Sequence, residues 1–283
     1  MYTILAMCVL SGFLAGNESY PRADLLVEAA HLPNLKEATV ILDARPRDKY
    51  LAGHLPKAIF VDHDQWSKTF AAKQDAKTWS AIIGGLGIEP GATVVVYDDA
   101  MQKDGARIWW ILRYFGAKDV RLVNGGWHAI STSGLPTSKE EATPRAANFP
   151  IAAPVAGRLA DKQKVADLLK AKTTTIVDAR SEKEYCGDAK LAKRGGHLPG
   201  AVLLEWSELL EKDSKKFKNS AALAKLMKDA GIDVEKPAVT HCQSGGRASV
   251  MAFALELMGV REVANYYRGW SEWGNDAETT IAK

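Results

Sequence analysis

Short apolar runs recur along the chain, each closed by turn residues and followed by a stretch with helical spacing. Val40-Ile41-Leu42-Asp43, Thr93-Val94-Val95-Val96-Tyr97, Thr175-Ile176-Val177-Asp178 and Ala238-Val239-Thr240-His241 are rich in β-branched residues and nearly continuous in apolar character. That is the pattern of strands buried on both faces. Arg107-Ile108-Trp109-Trp110-Ile111-Leu112 and Ala248-Ser249-Val250-Met251-Ala252-Phe253-Ala254-Leu255 fall between such runs as helices. Strands alternating with helices at this spacing predict an α/β fold, a parallel sheet covered on both faces.

The pattern occurs twice, and self-similarity of this kind marks a repeated unit. Val40 to Arg45 and Gly53-His54-Leu55-Pro56-Lys57-Ala58 return as Thr175 to Arg180 and Gly196-His197-Leu198-Pro199-Gly200-Ala201. Gly87-Ile88-Glu89-Pro90 answers to Gly231-Ile232-Asp233-Val234, and Gly125-Gly126-Trp127 to Arg268-Gly269-Trp270. With Arg107 placed on Arg247, Asp98 stands where Cys242 stands, and its loop is four residues longer. The expected organisation is an extension over 1–19, a first domain over 20–135, a linker over 136–158 and a second domain over 159–283. Prolines at 136, 144, 150 and 154 deny the linker regular pairing, so it is expected to run extended.

The second copy differs from the first in its chemistry. Cys242-Gln243-Ser244-Gly245-Gly246-Arg247 leaves a strand and enters a helix, at the carboxyl end of the sheet where α/β folds bind ligands. Glycines can take positive φ, so the loop can curl into a cup of N–H groups around the sulfur. The helix N-terminus and Arg247 add positive charge, which favours the thiolate and marks Cys242 as a nucleophile against the alternative of a buried structural cysteine. A phosphate-sized loop of the form Cys-x5-Arg would be one residue longer. The smaller ring suits one extra sulfur atom on the cysteine, a persulfide whose charge needs those donors.

Composition narrows the remaining possibilities. At 283 residues, two domains are expected, and 47% apolar with 25% charged residues is ordinary for a globular protein. The net charge of +3 is spread along the chain with no basic stripe, so no nucleic-acid partner is expected. Cys8, Cys186 and Cys242 form neither a disulfide framework nor a metal cluster, and no metal or cofactor is expected. His241 neighbours Cys242 on a strand and so points to the other face, as a packed or solvent-facing residue. The apolar run from Ile4 to Gly16 is too short to span a bilayer and resembles the centre of an export signal. A periplasmic or exported protein is expected, with a cytoplasmic one as the alternative.

Taken together, the paired Asp-Ala-Arg and Gly-His-Leu-Pro motifs and the Cys-x4 loop resemble the tandem-domain rhodanese family of sulfurtransferases, over about Tyr20 to Gly274. The resemblance implies two rhodanese-like domains, the first silent because a carboxylate cannot carry sulfane sulfur. It also implies ping-pong transfer through a Cys242 persulfide, from a small anionic donor such as thiosulfate to cyanide, a thiol or a reduced thiol protein. Gln243, Ser244, Gly245, Gly246 and Arg247 would form the substrate cradle. Arg247 would anchor the donor or join a structural ion pair, with Asp178 as its partner. Asp178 and Arg180 would border the pocket or pair with each other, and the second is preferred because the first copy keeps Asp43 and Arg45 without a cysteine. His54 and His197 recur in both copies and are expected to pack turns. Glu184 stands where animal relatives hold a substrate-binding arginine, so that contact is expected to be absent. Thiosulfate is the first choice of donor. A 3-mercaptopyruvate sulfurtransferase and a non-catalytic persulfide carrier are the alternatives, and a phosphatase is disfavoured by loop length.

Overall fold

The computed structural model describes residues 19–283; the expected export signal lies outside the described residues. In chain order the first domain comprises β1 (Leu26–Val27), β2 (Val40–Asp43), α1 (Arg47–Ala52), β3 (Ile59–Phe60), α2 (His63–Ala72), α3 (Ala76–Gly85), β4 (Thr93–Tyr97), α4 (Lys103–Tyr114), β5 (Asp119–Val123) and α5 (Gly126–Thr132). The second comprises α6 (Lys162–Ala171), β6 (Thr175–Asp178), α7 (Glu182–Cys186), β7 (Val202–Leu203), α8 (Ser220–Asp229), β8 (Ala238–His241), α9 (Gly246–Leu257), β9 (Val263–Tyr266) and α10 (Gly269–Trp273).

Both sheets are parallel. Their orders are β1-β5-β4-β2-β3 and β7-β6-β8-β9. A single bridge from Leu159 to Asn265 stands in the second sheet where β1 stands in the first. The registers of the two central pairs match, with Asp43 opposite Tyr97 and Asp178 opposite His241. The next residues, Asp98 and Cys242, therefore leave equivalent strands at equivalent points.

Alternation along each strand divides the core into three layers. Val94 and Val96 face a large central cluster shared by both domains, while Val95 and Tyr97 face an outer cluster of the first. In β8, Ala238 and then Cys242 face the central cluster, and Val239 faces the outer one of the second domain. The central layer is built on α4 packed against α9, with Trp109 edge-on to Phe253 at 4.9 Å between centroids. Both helices are apolar around most of their circumference, as helices buried on all sides must be.

From 139 to 159 the chain has neither helix nor strand. It is held to the first domain by Ala147 N–H to Gly84 carbonyl at 2.9 Å and Val155 N–H to Tyr114 carbonyl at 2.8 Å. At its end, Arg158 pairs with Glu256 on α9 at 2.7 Å. The linker thus pins the two halves into one body.

Candidate active site

Because β8 alternates, the side chain of Cys242 points between the domains, and the residue is only 1% exposed. The loop after it is shaped by Gly245 at φ +87°, which allows α9 to begin at Gly246. The first bond of that helix runs from Ser249 N–H to the Gly245 carbonyl at 2.9 Å. The same carbonyl also accepts from Ser249 Oγ at 2.8 Å and from Asn265 Nδ2 at 3.3 Å. No carbonyl among the described residues takes the amide hydrogens of 243–248. They are donors without a backbone acceptor, at the positive end of a helix and in the loop that follows Cys242.

The loop's own carbonyls are spent elsewhere, which fixes its orientation. Cys242 O accepts from Trp270 N–H at 2.8 Å, and Gln243 O from Ser271 N–H at 3.0 Å. Gly269, at φ +51°, lies so close to the Cys242 carbonyl that a Cβ would collide with it. Gln243 Nε2 donates to the Leu191 carbonyl at 2.9 Å, tying the loop to the segment after α7.

Two guanidinium groups flank this loop. Arg247 donates from Nη1 and Nη2 to the two oxygens of Glu184, at 2.6 and 2.8 Å. Its ion-pair partner is therefore Glu184 and not Asp178. Burial opposes ionisation of Glu184, but the Arg247 fork and the Ser181 hydrogen bonds outweigh it and hold the carboxyl down at about 2. Burial likewise opposes the charge of Arg247, yet Glu184 and the sulfur of Cys242 raise its pKa.

Arg107 comes from α4 of the first domain. Its Nη1 donates to Ser67 Oγ at 2.7 Å, Tyr267 Oη at 2.7 Å and the Ser244 carbonyl at 3.0 Å. No carboxylate accepts from it among the described residues, although it is 9% exposed. Burial works against its charge, and the oxygen of Tyr267 and the sulfur of Cys242 overcome that and raise its pKa. A Cβ at Gly246 would strike this guanidinium. Arg107 and Arg247, matched by residue type, hold different places in their helices. α4 starts at Lys103 and α9 at Gly246, so Arg107 sits one turn deeper in its helix, and the first-domain loop is one residue longer, not four. The missed signal was a charged residue inside an apolar helical run, which has to find a buried partner.

Asp178 and Arg180 do not reach the loop. Arg180 closes on Asp178 with Nε at 2.9 Å and Nη2 at 2.6 Å, donates to the Gly196 carbonyl and stacks on Trp270, with both residues at most 1% exposed. That is an internal ion pair and not a donor contact, and Arg45 repeats it with Asp43 and Trp127. His54 and His197 stack on Tyr50 and Tyr185 and bond to their carbonyls, packing the two turns. His241 is fully buried, and burial pushes its pKa down, which leaves the ring neutral.

In the first domain the equivalent loop turns its amides onto a carboxylate. Asp98 accepts from the N–H groups of Ala100, Gln102, Asp104 and Gly105 at 2.7–3.2 Å. The loop amides that lack an acceptor after Cys242 are consumed here by the Asp98 carboxylate. Burial pushes Asp98 up to about 6 despite those four bonds.

A repeated α/β unit with one cysteine-bearing amide loop defines a class of sulfur-handling proteins, and comparison with known proteins gives the same class. The rhodanese-like domain family matches residues 26–133 and 161–276, so the chain belongs to that family and has the two-domain build of its sulfurtransferases, which take sulfur from a donor and pass it to an acceptor. It is 32% identical to a thiosulfate sulfurtransferase of Pseudomonas aeruginosa, covering 91% of this chain and 96% of that one. It is 31% identical to a thiosulfate sulfurtransferase of Azotobacter vinelandii, over 93% and 99% of the two chains. Among solved structures, SseA of Escherichia coli, a 3-mercaptopyruvate sulfotransferase, superimposes with a TM-score of 0.77 at 26% identity over 88% of this chain and 99% of that one.

Proposed function

We propose that this protein is a thiosulfate sulfurtransferase working through Cys242. The observation that carries the reading is Arg107: a buried cation without a carboxylate partner, set against a loop of unspent amides, whose natural counter-charge is an anion on the sulfur of Cys242. The thiolate attacks the outer sulfur of thiosulfate, the S–S bond of the donor breaks, and sulfite leaves with the electron pair. The persulfide anion rests among the amides of Gln243 to Ala248. Cyanide or a thiolate then attacks the outer sulfur, and the electron pair of the Cys242 S–S bond returns to the cysteine. No general base is needed, and neutral His241 on the far face supplies none.

Incubation of the protein with thiosulfate followed by intact mass measurement tests this. One added sulfur atom is expected on the wild type, none on Cys242→Ala, and cyanide should remove it as thiocyanate. Absence of the adduct in the non-reduced wild type would overturn the reading.

A sulfur-carrier role is the second reading, favoured by Leu191. This residue is 57% exposed, and its carbonyl is bonded to Gln243 of the loop, so an apolar contact for a protein acceptor lies at the site. The chain is also 31% identical to the sulfur carrier protein TtuD of Thermus thermophilus, over 83% of this chain and 87% of that one. Negligible turnover with cyanide alongside rapid transfer to a reduced thiol protein would favour it. Export through the apolar run at residues 4–16 remains our reading of the N-terminus, tested by sequencing the mature protein after cell fractionation.

A further inference from the structure

We propose that Glu184 sets donor choice by filling the planar fork of Arg247, and so excludes sulfur donors that carry a carboxylate, such as an α-keto thiol. The inference rests on the sulfurtransferase reading of Cys242 and concerns what the site refuses. Arg247 is the one charged side chain of the loop itself. Its two terminal nitrogens each meet a different oxygen of Glu184, at 2.6 and 2.8 Å. That parallel two-bond pairing is the arrangement a carboxylate ligand would use on a free arginine. Glu184 therefore stands in for such a ligand, supplied by the protein.

The stand-in is held in place. Glu184 is 6% exposed and sits at the third position of α7, where its Oε2 accepts from Ser181 N–H at 3.2 Å and Ser181 Oγ at 2.9 Å. These contacts form the capping box of α7, so the carboxylate cannot swing aside without uncapping the helix. An incoming carboxylate finds both fork donors taken and a like charge beside them. A sulfonate group needs no planar fork, because its oxygens can be met by the amides of 243–248 and by the field of Arg107.

The test compares kcat/KM for 3-mercaptopyruvate and thiosulfate, with one acceptor, in the wild type, Glu184→Gln and Glu184→Ala. It is paired with competition by pyruvate against thiosulfate in the wild type. The ratio of 3-mercaptopyruvate to thiosulfate kcat/KM is expected to rise at least about tenfold in the variants. Pyruvate should not compete in the wild type at concentrations where sulfite does. An unchanged ratio in folded variants, or effective pyruvate competition in the wild type, overturns the assignment. The pyruvate measurement decides alone if both variants fail to fold. Wild type that takes up no sulfur from thiosulfate sinks the function reading; wild type that does, with an unmoved ratio, sinks only the role of Glu184.

Discussion

Arg107, on α4 of the first domain, donates from Nη1 to the carbonyl of Ser244 in the Cys242 loop of the second, at 3.0 Å. The first domain thus delivers a cation to the loop that carries Cys242, and the sulfur helps to hold its charge. Arg107→Met should lower kcat on the order of 100-fold and shorten the lifetime of the persulfide adduct. Because the Ser244 carbonyl and the Ser67 and Tyr267 hydroxyls lose their donor, Tm should also fall, by about 4 to 8 °C. Unchanged persulfide lifetime with a large loss of Tm would show that Arg107 only joins the domains.

Two glycines form a matched experiment. Gly126 and Gly269 both have φ near +50° and both press on the carbonyl of the residue leaving the central strand, Asp98 in one domain and Cys242 in the other. Alanine at either position should cost about 2 kcal/mol or more, since it meets backbone in a conformation it disfavours. Sulfur uptake per folded molecule should survive Gly126→Ala and fail in Gly269→Ala. Equal retention in both would mean that the loop's orientation does not control Cys242.

Local chemistry was legible in the sequence; contacts between the domains were not. The Asp-Ala-Arg strands, the turn histidines and the Cys242 loop announce themselves through β-branched runs, glycines and repetition, because their geometry depends on near neighbours. Arg107 could be matched to Arg247 by residue type, yet its position depends on where each helix begins: it is the fifth residue of α4, whereas Arg247 is the second of α9. Glu184 was read as an absent contact, although Ser181 three residues before it spells a capping box that fixes its carboxylate. Its pairing with Arg247, 63 positions away, has no local signature.

Loss of the Glu184 pair should appear on the acid side. The carboxyl is lowered from 4.5 to about 2 in the folded protein, so its stabilising contribution is fully present above about 4.5 and disappears as pH falls towards 2. Urea unfolding of wild type and Glu184→Gln at pH 6, 4, 3 and 2.5 checks this. The wild type should be the more stable at pH 6, and the gap should close as pH drops. A gap that stays constant would mean the fork contributes packing and no charge.

His241 predicts the opposite use of the first domain, as a template for repair. The ring is fully buried, neither nitrogen has a hydrogen-bond partner among the described residues, and burial lowers its pKa below the ordinary 6.5. The unfolded chain can take up a proton there that the folded chain resists, so stability is retained above about 6.5 and declines as pH falls below it. Tyr97 occupies the matching register in the first sheet, where its hydroxyl accepts from Leu55 N–H at 3.2 Å. Leu198 is the counterpart of Leu55, so His241→Tyr should acquire the same bond and relieve two unpartnered nitrogens, a gain of about 1 to 3 kcal/mol. Thermal unfolding from pH 5 to 8 should show the variant above the wild type throughout, with the margin widening below pH 6.5. A margin that instead widens above pH 6.5 would mean that the buried ring is protonated in the fold, held by Asp178 at 3.5 Å.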